Sequence, residues 1–109
     1  MPDIPSNLPV CLEQQKSEHR ALAVLRMLGR EASYMSNEEI LDFYFAQIGL
    51  TCPRAQLRDC LEMLERNGLI EISKIETLMV VRLLVKGEEA ARGLIYVCGV
   101  LKPRIDCPY

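Results

Sequence analysis

Two arginines and a glutamine at positions 54, 56 and 58 form the most pointed chemical cluster in the sequence. Arginine carries a rigid fork of donors that matches the acceptor edge of guanine, and glutamine matches the mixed edge of adenine. Lys74 and Arg82 follow in an alternating stretch, where cations can clamp phosphates on either side of a groove. Arg54, Gln56, Arg58, Lys74 and Arg82 are therefore the candidate contacts to double-stranded DNA.

Other chemistry is sparse. The five cysteines stand at 11, 52, 60, 98 and 107, none in a Cys-x-x-Cys pair, and His19 is the single histidine. A thiolate metal site needs such ligands to converge on one ion. Cys52 and Cys60 are eight residues apart on or near one helix, about 12 Å along its axis. Cys60 falls on an apolar face, where a free thiol behaves as a small hydrophobe, and the other three lie in the flanks. No metal and no cofactor are expected. His19 has no nucleophile or paired carboxylate beside it, so it reads as a surface or capping residue, and no enzyme is expected.

Composition sets further bounds. The chain of 109 residues suits a single domain and is half hydrophobic, with thirteen Lys and Arg against fifteen Asp and Glu. So balanced a charge leaves no broad basic field to hold a polyanion at long range. No apolar run approaches the roughly 18 residues of a membrane span, and the proline-bearing start, Met1 to Pro9, does not resemble an export signal. A cytoplasmic protein with free thiols is the expectation.

The elements that position these residues follow from periodicity. Residues 1–16 are polar and proline-rich and read as a flexible arm. A helix is expected from about Ser17, with Ala21, Val24, Leu25 and Leu28 on one face, widened by Leu22 and Met27. Ser36 to Glu39 has the form of a capping box that opens a second helix, lined by Ile40, Leu41, Tyr44, Phe45 and Ile48 and ended at Gly49. Thr51 or Cys52 would cap a third, with Pro53 in its first turn and Leu57, Cys60, Leu61 and Leu64 inward, until Asn67-Gly68 stops it. The period then changes to that of strands over Leu69–Ile75 and Leu78–Val85, with a turn at Glu76-Thr77 and with Met79, Val81, Leu83 and Val85 on one face. Lys86-Gly87 would end this hairpin, and Glu88 to Arg92 suits one or two helical turns.

This order predicts an α+β, mainly α fold: a winged helix-turn-helix over residues 17–93, three helices followed by a two-stranded β-wing, then a short helix or extended tail. The apolar extension over 94–109, with Leu94 to Leu101 its richest part, packs on its own domain or supplies a contact for a homodimer, the expected state.

Several stretches together resemble a known family. They are the run from His19 to Leu28, Arg54-Ala-Gln-Leu-Arg58, Leu61 and Leu64 before Gly68-Leu69, Gly87 with Ala91-Arg92-Gly93, and Gly99-Val100 with Pro103. They resemble small winged-helix proteins of Mu-like phages and prophages, often labelled ArsR-type regulators on fold alone. The resemblance implies a phage or prophage origin, a winged helix and DNA binding, and no enzyme. This chain departs from the family in Asp59 and Glu62 on the outer face of the third helix, and in its closing Cys107-Pro108-Tyr109.

Two functions stay open. One is a phage-derived, DNA-binding transcriptional regulator or DNA-associated factor acting as a dimer, with the third helix entering the groove. The other is a winged-helix interaction module for a phage or host protein, favoured by Asp59, Glu62 and the neutral third helix. Helix 2, with Glu38, Glu39 and Asp42 and no basic partner of its own, reads as a solvated acidic cap.

Overall fold

A computed structural model describes residues 7–109. The architecture is α+β and mainly helical, with four helices and a three-stranded antiparallel sheet. In chain order these are α1 (Leu8–Arg30), β1 (Met35–Asn37), α2 (Glu38–Gln47), α3 (Arg54–Arg66), β2 (Ile70–Ile75), β3 (Leu78–Leu83) and α4 (Val85–Ala91).

Helix α1 is the axis of the fold. Every residue from Arg20 to Leu25 is buried, as are Met27 and Leu28. The segment is enclosed on all sides rather than along one stripe, because α3, β3 and α4 all pack against it. The helix also begins at Leu8, not near Ser17, so residues 8–16 of the expected arm are helical; the arm's first six residues lie outside the described residues. Pro9 sits at the start of this helix, where its missing amide hydrogen costs nothing.

The sheet has one strand more than the expected wing. β3 is central, with β2 on one side in the register Glu71↔Arg82 and Lys74↔Met79, and β1 on the other in the register Ser36↔Val81. β1 is only three residues long, and its Met-Ser-Asn carries no β-branched or aromatic signal. Tyr34 leads into it in a left-handed conformation and accepts a bond from the Leu83 amide at 2.8 Å. Ser36 is thus a strand residue and not the helix cap. Asn37 caps α2, its side chain accepting from the Ile40 amide at 3.0 Å, and is as competent a cap as serine.

The third helix matches its pattern closely. Leu57, Cys60, Leu61 and Leu64 are buried, Asn67 is the C-cap and Gly68 takes φ +73°. The helix starts at Arg54 with Pro53 as N-cap, in place of Thr51 or Cys52, and with no side-chain cap.

Met79, Val81 and Leu83 are buried as alternation requires, but Val85 is exposed and opens α4, and Lys86 and Gly87 lie inside that helix. The cause is local. The Leu84 amide bonds the Leu69 carbonyl at 3.0 Å, and the backbone then wraps so closely that a Cβ at Gly87 would overlap that carbonyl oxygen. The tail after Gly93 forms no regular element; Val97 and Val100 are buried in the core while Leu94 and Tyr96 stay exposed.

Candidate functional site

The start of α3 faces the start of α2, and the cations of one meet the acids of the other. Glu38 is the centre. It shares a helix face with Leu41 and Phe45, three and seven residues on, so it points inward and is only 1% exposed. Arg58 Nε and Nη2 donate to its two carboxylate oxygens at 2.8 Å each, a bidentate pair. The Met79 amide of β3 adds a third bond at 3.2 Å. The Arg58 guanidinium holds the Glu38 carboxyl below the ordinary carboxylate range, although burial pushes the other way.

Arg58 also donates to the Thr77 carbonyl at 3.1 Å, so one side chain ties α3 to α2 and to the turn of the β2–β3 hairpin. Arg54 lies alongside, with Nη1 3.0 Å from Glu39 and 3.7 Å from Glu38, and Nη2 3.7 Å from Asp42. Its hydrogen bond to Glu39 raises its already high pKa, while its Nε is buried without a partner. The acidic helix is therefore not a solvated cap without a basic partner. Its partners come from α3.

The remaining candidates are placed as follows. Gln56 donates to Glu13 of α1, a carboxylate that also takes Arg20 Nη1 at 3.0 Å. Arg82 pairs across the hairpin with Glu71 at 2.8 Å, as their register dictates. Lys74 is exposed and has no ion pair among the described residues. The structure thus brings Arg54 and Arg58 together on Glu38, sends Gln56 toward α1, and leaves Lys74 and Arg82 on the hairpin. Asp59 and Glu62 stand exposed on the outer face of α3, as a helical projection places them.

Sequence reasoning missed Glu38 as a buried acid, although its spacing from Leu41 and Phe45 was the available signal. It also missed Arg20, which is buried and donates to the Leu50 and Thr51 carbonyls at 2.8 and 3.3 Å, closing the α2–α3 connection onto α1. His19 is not a cap. Its Nδ1 lies 2.8 Å from the Tyr109 hydroxyl, with the rings edge to face, and Arg26 Nε donates to the Tyr109 carbonyl at 2.9 Å. The closing Cys-Pro-Tyr thereby fastens the tail to α1.

All five cysteines are free; Cys52 and Cys60 are buried, and burial pushes the Cys60 thiol up to about 12. Among the described residues no group of three or more His, Cys, Asp or Glu is arranged to hold a metal ion, and no helix is long and apolar enough to cross a membrane.

No family profile and no solved structure matches the chain. It is similar to the uncharacterized protein gp26 of Escherichia phage Mu, 30% identical over 88 residues that make up 81% of this chain and 91% of that protein. At that identity and coverage, the chain belongs to the family of this phage Mu protein.

Proposed function

We propose that this chain is a non-enzymatic, winged-helix interaction module of Mu-like phage origin, one that uses the helix order of a DNA reader to bind a protein. The observation that carries this reading is the fate of Arg54 and Arg58. A base-reading arginine must offer its fork to the groove, whereas these two spend theirs on Glu38, Glu39 and Asp42. The acids beside them, with Asp59 and Glu62 further along α3, would oppose a phosphate backbone. The nearly even overall charge agrees.

The test is recovery of partners by a tagged full-length chain from phage-producing cells. A specific phage or host protein, with no nucleic acid in the purified sample, supports the module. Recovery of DNA alone contradicts it.

The second reading is a DNA-binding regulator, and a specific observation favours it: exposed Lys74 stands near the tip of the hairpin, where a wing meets phosphates. On that reading α3 is a recognition helix, and Arg54 and Arg58 exchange their carboxylate partners for base edges. A salt-sensitive shift of duplex DNA, weakened by Lys74→Ala, would favour it over the module.

A further inference from the structure

The first half of α1 is open to solvent, although Glu13 ties it to Arg20 and to Gln56 of α3. Residues 9–16 are all exposed, among them Val10 at 69% and Leu12 at 49%. Pro9, Val10 and Cys11 are weak helix formers, so this end of a ~34 Å helix gains little from propensity and depends on being packed. Beside it runs a groove of about 750 Å³. It is lined by Val10 and Glu13 of α1, by Asp59, Cys60 and Met63 of α3, and by Cys98 of the tail.

We infer that this groove is filled by the first half of α1 from a second copy of the chain. The geometry is self-complementary, because the segment that would enter the groove is also the groove's wall. When one copy's helix lies in its partner's groove, the partner's helix lies in the first copy's groove by the same contact. That is a two-fold, closing arrangement, and it ends at a dimer instead of a fibre. Val10 and Leu12 point to different sides of the helix, two residues being about 200° apart, so one apolar residue can meet the groove's apolar wall while the other meets the incoming helix.

Charge agrees with this occupant. Residues 8–17 carry one cation, Lys16, and one anion, Glu13, the latter held by Arg20 and Gln56. Glu18 and Asp59 line the groove and, like Lys16, have no ion pair among the described residues. A second copy brings Lys16 to those acids. The inference moves the dimer contact from the exposed tail residues Leu94 and Tyr96 to α1, and it is independent of whether the partner of the assembled dimer is protein or DNA.

The test is sedimentation velocity of the full chain from about 1 to 100 µM. The expected result is a concentration-dependent species of twice the 12.4 kDa chain mass. Val10→Glu should weaken it by about tenfold or more, and Lys16→Glu, on a solvent-exposed position that leaves folding intact, should weaken it in a salt-dependent way. Tyr96→Ser should leave it unchanged. A monomer throughout the range overturns the inference, as does a dimer that resists both α1 variants or is lost on Tyr96→Ser. A Val10→Glu chain that fails to fold passes the decision to Lys16→Glu.

Discussion

Glu38 and Arg58, twenty residues apart in sequence, meet through two parallel hydrogen bonds of 2.8 Å, with the carboxylate buried and the guanidinium half-exposed. Around this pair α2, α3 and the β2–β3 turn are held in one arrangement, since Arg58 also reaches Thr77 and Glu38 also takes the Met79 amide.

Replacing Glu38 by Gln removes the charge and one acceptor while keeping the shape. The Met79 amide and the Arg58 fork then compete for a weaker acceptor in a buried place. We expect a loss of about 2 kcal/mol in stability, read as a lower urea midpoint with an unchanged slope. A midpoint equal to that of the native chain would mean that the pair holds nothing together.

The same pair sets an acid limb. The Glu38 carboxyl has a lower pKa folded than its ordinary value of 4.5. Its contribution to stability is therefore fully present above that value and is lost as the pH falls through the folded value. Glu13, also lowered by its bonds from Arg20 and Gln56, acts in the same direction. Thermal melts between neutral pH and strongly acid pH should show this decline, and Glu38→Gln should flatten it.

Gly87 lies in α4 against the Leu69 carbonyl, with the Leu83 side chain beside it. Gly87→Ala normally favours a helix, but here the new methyl meets backbone that cannot step aside. The expected outcome is destabilisation of about 1–3 kcal/mol by chemical denaturation. A stabilised variant would show that α4 does not sit this close to β2.

Thiol labelling should divide the cysteines. Cys11 and Cys98 are exposed, whereas Cys60 is buried with its thiol pushed up to about 12 and Cys52 is buried with its thiol raised. Thiolate is the reactive form, so at mildly alkaline pH the exposed pair reacts first and Cys60 only on unfolding, a sequence that peptide mapping after timed alkylation resolves.

Periodicity carried most of the architecture because α3 and the hairpin each bury one face. Leu57, Cys60, Leu61 and Leu64 lie inside as spaced, and Met79, Val81 and Leu83 do so in β3. It failed where a tertiary contact decided the local structure. β1 exists because the free edge of β3 takes up three residues with no strand signal of their own. Val85 leaves the strand because Gly87 must approach Leu69. The site was half legible. The types and positions of Arg54 and Arg58 were plain, but which acids they face depends on how α2 crosses α3. A reading that treats each helix alone counts Glu38, Glu39 and Asp42 as unpartnered.

The central claim is that Arg54 and Arg58 serve the α2–α3 junction and not a DNA groove. Fluorescence anisotropy of a labelled random-sequence duplex, titrated with the full chain at low salt, tests it most directly, with Arg54→Ala run in parallel. No appreciable binding by either protein is expected. Binding that tightens steeply as salt falls, and that Arg54→Ala abolishes while the variant remains folded, would contradict it.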